Sequence, residues 1–223
     1  MEYSKLRMFF EIRYPSSGIE KQKENIISTF QDEYFLKNTL RDELHFKQKS
    51  EFPEVGEIKV GPKRFGFTMG LCPGYDYFTK ILAAHLKKVA SFLAFNEIIW
   101  MEARGHHLYP ISSLEEFFEL VTSLGAYASL EFSDNGVYLF FQEDNLKVNI
   151  IYRFMERALA KEYFLSADEA SIPEMNLSMD IDVSLEETMS PKLLEENAKK
   201  HMKRASDLMK QKAVEVFKPR WNS

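Results

Sequence analysis

The sequence predicts an α+β fold: a mixed, mainly antiparallel sheet with helices packed on it and a long amphipathic helix near its C-terminal end. Three observations carry this. Leu177, Met179, Ile181, Val183 and Leu185 recur at a period of two, against Ser178, Asp180, Asp182 and Ser184 on the other side; that is a strand with one buried face. Between about 126 and 154, two alternating runs flank Asp134-Asn135-Gly136 and a third follows at Leu146, Val148 and Ile150. This predicts a three-strand meander, because Asn-Gly supports the positive φ angles of a tight hairpin turn. From 190 to 217, Leu194, Ala198, Met202, Ala205, Met209, Ala213 and Val216 return at steps of three and four, close to the period of a straight helix.

The remaining elements follow in order. Leu6, Met8, Phe10 and Ile12 alternate with charged residues and predict a first strand, and Pro15-Ser16-Ser17-Gly18 predicts a turn. Residues 19–49 contain no Pro or Gly, and Ile26, Ile27, Phe30 and Tyr34, then Leu36, Leu40 and Leu44, fit two helical faces. They predict one bent helix or two short ones. Residues 51–64 predict a loop with a short strand at 58–60. Phe65, Phe67, Met69 and Leu71 alternate with Gly66, Thr68 and Gly70, a strand with one bulky and one nearly bare face. After Cys72-Pro73-Gly74 a helix is expected over about 75–95. Residues 95–101 continue that helix or, by Ile98-Ile99-Trp100, start a strand. Gly105-His106-His107 and Pro110 predict a loop. Ser113 to Glu116 has capping-box spacing and opens a helix that Gly125 would end. Residues 153–165 predict a helix, and Ser190-Pro191 supplies a cap and first position for the last one. No internal repeat is visible, and a single domain over 1–223 is expected, since no long linker separates two cores.

Composition narrows the class. Hydrophobic residues make up 45% and there are 19 Phe, enough to build a large core. No apolar run is long enough to span a bilayer, and Met1-Glu2-Tyr3-Ser4-Lys5 lacks the pattern of a secretory signal. One cysteine excludes an internal disulfide, so a cytoplasmic location is the expectation. The net charge of −5 is uneven: residues 192–223 hold 9 Lys+Arg and 4 Asp+Glu, leaving the rest of the chain at −10. That acidic body argues against nucleic-acid binding, which needs clustered cations.

Four constellations are candidates for chemistry or binding. Asp180 and Asp182 project from one strand face, about 7 Å apart by strand rise. The apolar-Asp-apolar-Asp-apolar pattern resembles the catalytic strand of several nucleotidyl-transfer folds, where paired carboxylates hold Mg²⁺ or Mn²⁺. No third carboxylate or phosphate-holding loop accompanies them, and an exposed strand face has the same pattern. Cys72 precedes a helix whose N-terminus favours a thiolate, but His85 is 13 residues away and a structural cysteine explains the spacing equally. Glu102 and His106 would share a helical face as a weak metal pair, although Gly105 interrupts that helix. On the last helix, Leu194, Ala198, Met202, Ala205 and Met209, with Lys199, Lys203 and Arg204, form a candidate partner-binding stripe; the same stripe also suits docking on the chain's own core. The sequence therefore favours a protein-binding domain (an adaptor, inhibitor or neutralising partner) whose partner is another protein or a second copy of itself, with no cofactor expected. The competing expectation is a metal-dependent phosphoryl- or nucleotidyl-transfer enzyme using Asp180 and Asp182.

Overall fold

A computed structural model describes residues 5–15, 18, 21–40, 42–49, 56–91, 97–122, 131–133, 136–164 and 168–221. The chain runs β1 (Lys5–Arg13), α1 (Lys23–Phe30), β2 (Tyr34–Leu40), β3 (Glu43–Gln48), β4 (Gly56–Val60), β5 (Arg64–Met69) and α2 (Tyr75–Ala90). It continues β6 (Trp100–Pro110), α3 (Leu114–Thr122), β7 (Glu131–Ser133), β8 (Gly136–Glu143), β9 (Leu146–Glu156), α4 (Arg157–Tyr163), β10 (Met175–Leu185) and α5 (Leu194–Trp221). All strands join one antiparallel sheet in the order β2-β3-β4-β5-β1-β6-β10-β9-β8-β7.

That order contains a duplication. The first half is strand, helix, four-strand meander, helix, with spatial order 2-3-4-5-1; the second is the same, with spatial order 6-10-9-8-7. The two halves meet where β1 pairs antiparallel with β6, from Lys5↔Leu108 to Arg13↔Trp100. A pseudo-twofold axis through that ladder exchanges them, with α4 inserted only in the second half. Alternation patterns are shared by any two half-buried sheets, so this repeat leaves no signature in residue identities.

One face of the sheet is closed. Met8, Phe10 and Ile12 of β1, Phe65 and Phe67 of β5, Met101 and Ala103 of β6, and Met179, Ile181 and Val183 of β10 are buried there. They pack beneath α2 and α5, which are also in contact with each other. α5 buries Leu194, Ala198, Met202, Ala205, Leu208, Met209, Val216 and Phe217, so the three-and-four spacing marks the stripe that docks. It crosses the sheet closely at Gly105, where an added Cβ would come within 2.7 Å of both Met209 Sδ and His107 Cε1. Burial of this stripe and of the inward strand positions contributes about 25 cal/mol per Å² of apolar surface.

Several expectations are corrected. Residues 34–48 are not helical: they form the β2–β3 hairpin, in which Tyr34, Leu44 and Phe46 face the core at period two. Asp42 takes a left-handed φ of 69° at its turn, a conformation Asp tolerates without glycine. Residues 105–110 are not a loop, because β6 runs straight through them; Gly105 serves the approach of α5 and Pro110 sits at the strand's end. Residues 153–156 extend β9 before α4 begins. The short strand expected at 58–60 is present and longer, as β4 from Gly56 to Val60, while residues 51–55 lie outside the described residues.

Elsewhere the expected elements are present. The meander β8-β9 carries Gly136 at φ 141°, where a Cβ would strike the Tyr152 carbonyl, and β10 covers the alternating stretch. At α3, Glu116 N–H donates to Ser113 Oγ at 3.1 Å, while Glu116 Oε2 accepts from Ser112 N–H at 2.6 Å, a capping box shifted by one residue. Ser190 makes no side-chain cap, and Pro191 opens a short 3-10 turn ahead of α5. Ala126, Ala128, Leu130, Asp134, Asn135 and Gly125 lie outside the described residues. Among the described residues, no helix is long and apolar enough to cross a membrane.

Candidate functional site

The other face of the sheet presents alternate residues of every strand without α2 or α5 over them. Across its centre one row runs Phe140 (β8), Asn149 (β9), Asp182 (β10), Arg104 (β6), Phe9 (β1) and Thr68 (β5), each directly opposite the next. The neighbouring rows run Ile151, Asp180, His106, Arg7 and Lys147, Ser184, Glu102, Glu11, Gly66. α4 caps one end: Tyr163 and Phe164 lie against the His106 ring, and Leu108, Met155, Ala160, Phe164 and Ile172 form a small separate core there. Away from α4, the side chains of Arg13, Arg104 and Phe140 on this face are exposed.

Asp180 and Asp182 share this face, as their alternation predicts, and their environments differ. The Arg104 guanidinium grips Asp180 with two hydrogen bonds, Nε to Oδ1 at 2.7 Å and Nη2 to Oδ2. Burial alone would raise Asp180, but this charged fork outweighs it and holds the carboxyl below its usual range. Asp182 is raised to about 6, chiefly by burial, with Asp180 adding like-charge repulsion. Asn149 hydrogen-bonds its carboxylate, yet Asp182 Oδ1 is buried without a hydrogen-bond partner. Glu102 is raised to about 7 by burial, then by Asp182 and Glu11. His106, bonded to Ser178 Oγ at 2.6 Å, is lowered by burial to about 4 and is neutral at pH 7.

The pairing on this face has a consistent polarity. The Arg104 side chain is 47% exposed and its partner Asp180 5%. Arg13 is 53% exposed and Glu11 7%, with Arg13 Nε 2.8 Å from Glu11 Oε1. Arg64 is 43% exposed and Glu43 12%, at 2.6 Å. In each pair the carboxylate lies in the floor and the guanidinium stands above it. Arg13 also lies over the Trp100 ring, 4.0 Å from its centroid. A buried acceptor under each arginine orients the fork and leaves the outer N–H groups facing solvent.

The other candidates do not assemble into sites. Glu102 and His106 sit on a strand, not a helix; they point the same way but four residues of strand separate them by about 13 Å. His107 points to the closed side, where it bonds Tyr75 Oη and donates through Nδ1 to the Met179 carbonyl at 3.2 Å. Cys72 is buried and its thiol donates to the Gly74 carbonyl at 3.1 Å. His85 is a core histidine, 2.9 Å from Tyr34 Oη. Among the described residues, no group of three or more His, Cys, Asp or Glu is arranged to hold a metal ion.

On α5, Leu194, Ala198, Met202, Ala205 and Met209 are buried against the chain's own sheet and α2, so the stripe expected to meet a partner is already covered. Its cations are partly engaged as well: Lys199 pairs with Glu195 at 2.6 Å, and Arg204 donates to Asn145 at 3.1 Å beside Asp144, while Lys203 is exposed. The residues that the sequence did not single out are Arg13, Arg64 and Arg104, with Glu11 and Glu43. The signal for Arg104 is the alternation of Met101, Ala103 and Gly105 with Glu102, Arg104 and His106, obscured by the turn-like Gly-His-His. Comparison of the chain with protein-family models and with curated proteins finds no match.

Proposed function

We propose that this chain is a protein-binding domain whose interface is the open face of its sheet. The observation that carries this is the layered polarity of the face: three exposed arginines, each braced by a buried carboxylate, standing over a sheet whose opposite side is closed by its own helices. Preformed guanidinium forks favour recognition because little side-chain entropy is lost on contact. Interfaces are enriched in arginine and aromatic residues, and Trp100, Phe9, Tyr138 and Phe140 accompany the arginines here. The partner is another protein or a second copy of this chain, and no resident cofactor enters the proposal.

The test is capture from native lysate with the full chain, in parallel with an Arg13→Glu/Arg64→Glu variant and a Lys199→Glu/Lys203→Glu variant. The account expects a captured protein to be lost with the first variant and retained with the second. Equal capture by all three would overturn the assignment of the face.

The metal-dependent transferase reading draws on one observation, the unpartnered Oδ1 of Asp182 near Glu102. Arg104 already occupies both oxygens of Asp180, so a cation bridging the two aspartates must displace a guanidinium. If Mn²⁺ raises the melting temperature of the wild type and not of Asp182→Asn, that reading displaces the first.

A further inference from the structure

Resting on the reading of the open face as a protein interface, we infer that its occupant is an extended acidic segment of a partner protein that also carries apolar side chains. Charge is the first argument. Nine Lys and Arg point outward on the face: three on β1, two on β9, and one each on β3, β4, β5 and β6. Among the strand side chains described, six carboxylates share it, two on β10 and one each on β1, β3, β4 and β6, leaving these positions with an excess of +3, of which Lys147 is answered by Glu186 from beyond β10, in a chain of net −5. The carboxylates of the three bracing pairs lie deep, so an approaching ligand meets their cations first.

The apolar part is the second argument. Phe140 is 61% exposed at the β8 end of the central row, and half-buried Tyr138 and Ile151 flank it. Their side chains project on the same side as Arg104, so one ligand lying across the strands spans both.

The centre of the face suits a polypeptide and not a nucleic acid. Between Arg104 and Phe140 lies Asp182, with an unpartnered buried oxygen, and Glu102 stands close by. Phosphates tracking the arginines would be brought against these carboxylates, which no cation grips as Arg104 grips Asp180. A polypeptide places carboxylates on the arginines and uncharged groups over Asp182 and Glu102.

The probes are three short fluorescein-labelled molecules titrated with the full chain and followed by anisotropy: a peptide alternating Glu with Leu and Phe, its counterpart with Lys at every Glu, and oligothymidylate. The acidic peptide should bind and weaken with added salt; the basic peptide and the oligonucleotide should bind at least about tenfold more weakly, the equivalent of roughly one charge-assisted contact. Arg13→Ala/Arg64→Ala should weaken the acidic peptide about tenfold or more. Because Arg104→Ala strands a buried carboxylate, the variant at that position is Arg104→Ala/Asp180→Asn, with the same expectation. Lys80→Ala/Lys87→Ala, on α2 across the sheet, should leave binding unchanged.

Tighter, arginine-dependent binding of the oligonucleotide overturns the proposal, as does equal binding of acidic and basic peptides. Arginine-dependent capture from lysate that the acidic peptide fails to compete overturns this inference while leaving the face as an interface. Acidic-peptide binding unaffected by either arginine variant overturns both.

Discussion

The two halves of the sheet share a topology and differ in what they put on the open face. In the first half, β5 lies one strand out from the junction and carries Arg64, Gly66 and Thr68 there, with Phe9 3.6 Å from where a Cβ on Gly66 would stand. In the second, β10 holds the corresponding place and carries Asp180, Asp182 and Ser184. α2 has 16 residues and α5 has 28, and only the second half adds α4. Both halves close their other face with the helix that ends them, α2 and α5, so the core side is alike where the open side differs. The comparison teaches that each half sinks carboxylates of its own into this face: Glu11 and Glu43 in the first, under Arg13 and Arg64, and Asp180 and Asp182 in the second, where Arg104 grips Asp180.

The largest expected effect is on pH stability. His85 in the first half and His106, His107 and His201 in the second are all lowered by burial to about 4. Unfolded, each regains a value near 6.5, so between pH 6.5 and 4 the unfolded chain binds more protons and acid destabilises the fold. Glu102 at about 7 and Asp182 at about 6 act in the opposite sense, since the folded state holds their protons. The histidines outnumber them, leaving a net of about two protons and a loss of about 3 kcal/mol per pH unit near pH 5.5. Denaturant titrations at stepped pH check this; a midpoint that is flat or rises on acidification contradicts it.

Next in size is Arg104→Ala, which leaves Asp180 buried and uncompensated and should cost about 3 kcal/mol, measured by urea denaturation. Adding Asp180→Asn should restore most of it. The first-half counterpart, Arg64→Ala, should cost only about 1 kcal/mol, because Glu43 retains His45 as a partner. If the two single variants lose the same stability, the halves do not differ as described. Smallest is Arg13→Ala, at a few tenths of a kcal/mol, since its guanidinium is half exposed and Glu11 also has Arg64 at 3.7 Å.

Legibility in the sequence followed the physics of patterning. The β10 alternation and the α5 stripe were readable because each element buries one side of a long, regular repeat. The β2–β3 hairpin was not, because Leu36, Leu40 and Leu44 match a helical face and the turn at Asp42 carries neither glycine nor Asn-Gly. At β6, Gly105 and two histidines suggested a loop, although the glycine is required by a helix passing overhead. The Asp pair was legible as a shared face. Its engagement by Arg104 was not, since the two lie 76 residues apart and only the antiparallel register of β6 on β10 brings them together. Net charge along the chain does not show this surface for a related reason: the fold sorts cations to one face and sinks the carboxylates that hold them.

The central claim, that the open face is the interface, is tested most directly by arginine-directed chemical labelling of the full chain, read by mass spectrometry with and without a captured partner. The account predicts that Arg13, Arg64 and Arg104 lose reactivity together on binding, and that in parallel amine labelling Lys80 and Lys87 on the helical side stay unchanged. Protection of those α2 lysines with the three arginines still reactive would contradict it.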